Sequence, residues 1–126
     1  MPDEKPTRFR LLLALHTREL KSAFFFALAA KPSVRIVATA ANTAELLTFS
    51  RTLRPDGIVL EWELPGRPMT EIYPQLTALT AAGQIFVVNM PSSDEQVREL
   101  ASQAHHFDEP EALVGALETM RVANKR

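Results

Sequence analysis

The stretch GIVLEWELPG, Gly57 to Gly66, decides how this chain is read. It runs an apolar segment into Glu61, Trp62 and Glu63 and then stops at Leu-Pro-Gly. A short apolar run closed by a Pro-Gly turn reads as a buried strand whose last residues emerge at one edge of a sheet. In parallel α/β sheets that edge is where ligands and chemistry collect. Glu61 is therefore open to two readings, a strand-end carboxylate bonded to backbone amides or a group with a signalling role. Glu63 follows in the turn and is expected to be solvated.

Working outward, three further runs have strand length and the Ile, Val and Phe content of strands covered on both faces: FRLLLAL (Phe9 to Leu15), VRIVATA (Val34 to Ala40) and QIFVVNM (Gln84 to Met90). Between them apolar residues recur at helical spacing: Leu20, Phe24, Ala27 and Leu28; Leu46, Phe49 and Leu53; Ile72, Leu76 and Leu79; Val97, Leu100, Ala101 and Ala104; Leu113, Leu117 and Met120. Asn42 with Glu45, and Ser92 with Glu95, resemble capping boxes, and Asp108 with Pro110 and Glu111 marks the start of a last helix. Pro74 is tolerable if its helix begins near Thr70, so that the proline falls in the first turn. A fifth strand is required before Asp108, and only His105 to Phe107 is available for it. Five strand and helix alternations imply a parallel sheet with right-handed crossovers and helices on both faces. The expected organisation is a flexible arm over 1–8, one domain over 9–122 and a tail over 123–126.

Composition narrows the function classes. The chain has 126 residues, the size of one domain, and a formal net charge of -1, which gives no field to attract nucleic acid or an anionic membrane. No cysteine is present, so a disulfide framework, a thiolate zinc site and a thiol nucleophile are excluded. The absence of a signal-like start and of a long apolar span points to a cytoplasmic location. With four glycines in all, no Gly-rich phosphate loop carrying a Lys can be assembled, and no serine has a clear His or Asp partner.

RPDGIVLEWELPG (Arg54 to Gly66) resembles the third-strand signature of response-regulator receiver domains, R-P-D-L-V-L-L-D-L-x-L-P-G. The resemblance extends over about Phe9 to Arg121, through helix count, strand spacing and the Glu109-Pro110 pair before the last helix. It implies an α/β, flavodoxin-like (βα)5 doubly wound fold, a five-stranded parallel sheet of order 2-1-3-4-5 with helices on both faces. In that family acidic residues after the first strand bind magnesium. An Asp ending the third strand accepts the phosphoryl group, a Thr or Ser ending the fourth bonds to it, and a Lys before a Pro neutralises it. Here the acidic pair aligns with Leu15 and His16, or one residue earlier with Ala14 and Leu15, and neither register supplies a carboxylate. The phosphoacceptor position carries Glu61, whose extra methylene displaces an attacking oxygen by about one carbon-carbon bond, an error that can cost ~100-fold. The hydroxyl becomes Asn89 and the Lys becomes Glu109. Loss of these groups together removes the reaction, because phosphoryl transfer needs a metal and fixed positive charge. The chain resembles a degenerate receiver, or pseudo-receiver.

The remaining candidates each have a plain alternative. Glu61 as a mimic of phosphorylated Asp supplies about one negative charge where a phosphate supplies nearly two. His16 and Glu61 are plausible transition-metal ligands, but a third is lacking, and a His at a helix entry is the simpler reading. His105 and His106 are strand neighbours facing opposite sides, which prevents chelation of one ion. Phe107 stands where receivers keep a switch aromatic, and it also suits an ordinary core position. Phe24, Phe25 and Phe26 point about 100° apart on a helix, so Phe24 can face the sheet while Phe25 and Phe26 flank it; at least one is expected to be partly exposed, which makes the first helix a candidate partner surface, with a wide buried face as the alternative. Whether Glu109-Pro110 is cis is left open by the sequence.

The expectation is a receiver-like, two-component signalling module that acts through protein contacts, is not an enzyme, uses no cofactor or metal and is not phosphorylated on an aspartate. Its expected partners are a histidine kinase, an output protein or a second copy, with neither nucleic acid nor membrane. The expected surfaces are the face of the fourth helix, fifth strand and fifth helix, and the Phe-rich first helix. The alternative is a small-ligand or metal-binding module using the altered pocket at Leu15, His16, Glu61, Asn89 and Glu109.

Overall fold

The computed structural model describes residues 9–32, 34–80, 84–88, 95, 99 and 105–107. The chain alternates β1 (Phe9–Ala14), α1 (Arg18–Ala29), β2 (Val34–Ala40), α2 (Thr43–Leu53), β3 (Gly57–Glu61), α3 (Met69–Leu79), β4 (Ile85–Val88) and β5 (His105–Phe107). All neighbouring strands run parallel in the order β2-β1-β3-β4-β5, which is the order expected. The expected arm (1–8) and tail (123–126), the fourth and fifth helices, and the caps at Ser92 and Asp108 lie outside the described residues. So do Asn89, Glu109 and Pro110 and the side chain of Phe107.

Alternation of side chains along β1 divides the interior into two layers. Leu12 and Ala14 join Ile58, Leu60, Ile85 and Val87 beneath α2 and α3, which contribute Leu46, Ile72, Tyr73 and Leu76. Leu11, Leu13 and Leu15 join Val59, Phe86 and Val88 on the other face beneath Phe24 and Leu28 of α1. Helices therefore cover both faces, and β1, β3 and β4 read as unbroken apolar runs because neither face meets water. β2 departs from the expectation of two covered faces. It is the sheet edge, Arg35 and Thr39 are exposed, and its pairing with β1 shifts between Leu11 and Leu12, so that one extra residue of β2 is accommodated there.

Local chemistry sets the helix ends. Asn42 Oδ1 accepts the Glu45 N–H at 2.8 Å, and Glu45 Oε1 accepts the Ala41 N–H at 2.8 Å, one residue earlier than in the usual reciprocal box. At the far end of α2, Arg54 takes the left-handed conformation (φ 47), and the Arg10 guanidinium donates to the carbonyls of Leu53 and Arg54 at 2.8 and 2.9 Å. A cation thus meets the negative end of the helix and satisfies its last carbonyls. α3 begins at Met69, so Pro74 lies beyond the first turn, contrary to the sequence expectation, and the Thr70 carbonyl loses its helical donor.

Candidate functional site at the end of the third strand

The carboxyl ends of β1 and β3 stand side by side, Ala14 being paired with Leu60, and Glu61 is the last residue of β3. Glu61 is only 4% exposed. A carboxylate buried this far must be matched by donors or it becomes costly. The match comes from the chain just after β1: Glu61 Oε1 accepts the His16 N–H at 2.8 Å and the Thr17 N–H at 2.9 Å, and Glu61 Oε2 accepts the Thr17 hydroxyl. Burial pushes the Glu61 carboxyl up. The Thr17 hydroxyl, the two backbone N–H groups and the charge of His16 outweigh it and hold the group below its ordinary value of 4.5.

These bonds explain the start of α1. Thr17 is the N-cap residue, yet its side chain makes no bond to its own helix. It turns instead to Glu61, and the carboxylate lies where the positive end of the helix dipole favours an anion. The Glu61 carboxylate is bonded to backbone amides, as the first of its two readings describes, and it is buried.

The other expected positions separate. Leu15 is 1% exposed and packs with Phe24 and Leu28, so the residue aligned with a metal-binding acid is part of the interior. His16 reaches solvent while its backbone serves Glu61. Glu63 is exposed, as expected of a turn residue. Phe24 is fully buried, and Phe25 and Phe26 are 46% and 79% exposed. Asn89 and Glu109 are outside the described residues, so their distance from Glu61 is not part of this site.

The donor set does not fit magnesium. Magnesium takes hard oxygen ligands in a near-octahedral shell. At this edge the described residues bring one buried leucine, one imidazole and one carboxylate whose oxygens are already bonded to three donors. Among the described residues no group of three or more His, Asp or Glu side chains is close enough to hold a metal ion.

Thr17 is the site residue that sequence reasoning missed. Its only local signal was a hydroxyl ahead of a helical pattern, which predicts a bond along the helix and not across the sheet. Trp62 was likewise unassigned. It leaves the strand, donates its N–H to the Val88 carbonyl at 3.2 Å and turns its ring onto Tyr73, with centroids 5.7 Å apart. Leu64 then packs into the interior, and the Thr43 N–H at the start of α2 donates to the Pro65 carbonyl at 2.9 Å. Gly66 follows with φ 116, where an added Cβ would meet Thr43 Oγ1 at 2.3 Å. The Leu-Pro-Gly segment is thus a docking turn onto α2, and its glycine is required by both conformation and space.

No protein-family model matches the chain, and no curated protein matches it either. Solved structures do. A two-component response regulator of the LuxR family from Aurantimonas sp. SI85-9A1 is similar at a TM-score of 0.74 and 21% identity, over 93% of this chain and 87% of that one. The response regulator domain of Thermotoga maritima CheB gives 0.72 and 16%, over 92% and 96%. The chemotaxis response regulator CheY4 of Vibrio cholerae gives 0.69 and 16%, over 90% and 98%. The chain therefore has the fold of response-regulator receiver domains, along essentially its whole described length.

Proposed function

We propose that this chain is a receiver-like signal-transduction module that works through protein contacts and is not switched by phosphorylation of an aspartate. The observation that carries the reading is the state of Glu61. The group at the position of a phosphoacceptor is held by His16 and Thr17 and serves as a clasp for α1, so its oxygens are not available to attack a phosphoryl donor. The same holds against reading Glu61 as a mimic of aspartyl phosphate: its charge is already bonded inside the fold, to the His16 and Thr17 N–H groups and the Thr17 hydroxyl.

The residues beside it support this reading. A receiver would place carboxylates after β1 to bring in a cation, and Leu15 is buried there while His16 is an imidazole. Phosphoryl transfer depends almost wholly on positioning and on charge neutralisation, so a site whose described residues offer no set of metal-binding carboxylates and whose one carboxylate is already bonded does not support it. Contact surfaces survive such losses because they depend on shape. The Phe25 and Phe26 pair on α1 is one such surface, and the face built around β5 is a second, most of which lies outside the described residues. A histidine kinase, an output protein or a second copy are the partner classes that suit the fold. No helix among the described residues is long and apolar enough to cross a membrane.

Incubation of the full chain with acetyl phosphate and magnesium, followed by intact mass measurement, tests the proposal. The expected result is an unmodified mass under conditions that label an ordinary receiver run alongside. A stable phosphoryl adduct overturns it.

A further inference from the structure

α3 is anchored unequally along its length. Just ahead of the helix, the Arg67 N–H donates to Thr43 Oγ1 at 2.8 Å and the Thr43 N–H donates to the Pro65 carbonyl at 2.9 Å. Met69, Ile72 and Tyr73 are buried, and the Tyr73 ring lies against Trp62. Beyond Tyr73 the anchorage thins. Over residues 74–79 only Leu76 is buried, Leu79 is half-buried, and Pro74 and Ala78 are exposed. Among the described residues this half is joined to α2 by a side-chain bond from Arg51 Nη2 to Gln75 Oε1, at 3.4 Å too long to hold it firmly.

Pro74 marks the boundary between the halves. It has no N–H for the Thr70 carbonyl, so the ladder of backbone bonds that would carry order from one half into the other is broken there. Gln75 Nε2 reaches the Glu71 carbonyl at 3.4 Å across the gap, a weak replacement. The far end is equally bare. Thr80 closes α3 in an extended conformation, and no basic residue lies in the last turn. α2, by contrast, ends in a left-handed Arg54 with the Arg10 guanidinium on its last carbonyls.

Two buried hydroxyls add to the imbalance. Tyr73 immediately precedes the loosely held half and Thr80 ends it; they are 2% and 6% exposed, and neither hydroxyl has a hydrogen-bond partner among the described residues. A buried hydroxyl without a partner favours any state that lets water reach it. The weight of holding this half closed falls on Leu76, and local stability follows the density of buried apolar contacts and backbone bonds.

We propose that residues 74–80 form a separately opening segment, hinged at Pro74, which leaves the sheet as one unit while residues 69–73, the docked turn before them and α2 stay in place. Opening hydrates the Tyr73 and Thr80 hydroxyls and uncovers the apolar layer to which Leu76 belongs. The domain thereby has a second shape that needs no phosphate. The inference goes beyond the contact-based function and does not depend on whether Glu61 accepts a phosphoryl group.

Amide hydrogen exchange of the ¹⁵N-labelled full chain, measured at pH 7 in urea below the unfolding transition, tests the proposal. The amides of Leu76, Thr77, Ala78, Leu79 and Thr80 are expected to be at least about 100-fold less protected than those of Leu46, Leu47 and Ser50 in α2, and within about threefold of one another. Their exchange should change little with urea, because a small opening exposes little surface, while that of α2 accelerates. Ile72 and Tyr73 should remain slow. Pro74→Ala, at an exposed position, should slow the segment about tenfold, and Thr80→Val, which keeps the shape without the hydroxyl, should slow it about fivefold. Protection that declines smoothly from Ile72 to Thr80 is end fraying and overturns the proposal. Protection equal to that of α2, the same urea dependence as α2, or unchanged rates in either variant overturns it as well.

Discussion

Glu61 Oε1 receives two consecutive backbone N–H groups and its second oxygen receives a hydroxyl, so the residue's contribution is to stability and depends on its charge. Hydrogen bonds to a charged acceptor are worth more than neutral ones, and an unmatched buried donor costs further. Glu61→Gln keeps the shape but removes the charge and turns an amide NH₂ toward one donor; it should lower stability by about 1–3 kcal/mol, read from urea denaturation at pH 7. The sign of the pH effect follows from the depressed carboxyl. The stabilisation is fully present above the ordinary value of 4.5 and is lost as pH falls through the lower folded value. The gap between the native chain and Glu61→Gln should therefore be constant from pH 7 to about 5 and close under more acid conditions. A gap that is unchanged under acid conditions would show that Glu61 does not titrate as a bonded carboxylate.

At the scale of the element, α3 contains a conflict that α1 and α2 do not. Pro74 is exposed within an 11-residue helix and cannot donate to the Thr70 carbonyl. An interior proline costs an isolated helix about 3 kcal/mol, and restriction of the unfolded chain returns up to about 1 kcal/mol. Pro74→Ala should thus stabilise the protein by roughly 1–2 kcal/mol, visible as a higher melting temperature, and a lower one would mean that the ring makes a contact worth more than the missing bond. The helix persists because Ile72, Tyr73 and Leu76 on its inner face are almost fully buried, which outweighs a defect on the outer face. α2 is ordered by different means, with Asn42 at one end and the Arg10 guanidinium at the other.

Across the whole molecule, a receiver's reaction needs groups from several strand ends at once, and restoring one does not restore the rest. On the function proposed above, Glu61→Asp restores the acceptor type but leaves Leu15 buried and His16 without a carboxylate. It also shortens the side chain that clasps α1. This variant should gain no phosphoryl group from acetyl phosphate and magnesium, by intact mass, and should melt below the native chain. An adduct on it would mean that the identity of Glu61 alone, and not the pocket around it, blocks the reaction.

Strand and helix alternation, the capping pair Asn42 and Glu45, the short fifth strand and an exposed aromatic among Phe24, Phe25 and Phe26 were legible in the sequence, because each depends on residues within a few positions of one another; that both Phe25 and Phe26 are exposed was not. The parallel order followed from the same alternation, through the right-handed crossover rule. The partners of Glu61 were not legible, since His16 and Thr17 are 45 and 44 residues away and only the packing of β1 beside β3 brings them together. The edge character of β2, the turn of Trp62 onto Tyr73 and the docking of Pro65 and Gly66 against Thr43 were decided by tertiary structure for the same reason. Periodicity records which way a side chain faces; which donor or ring it meets there is set by a neighbouring strand or helix that the local pattern does not specify.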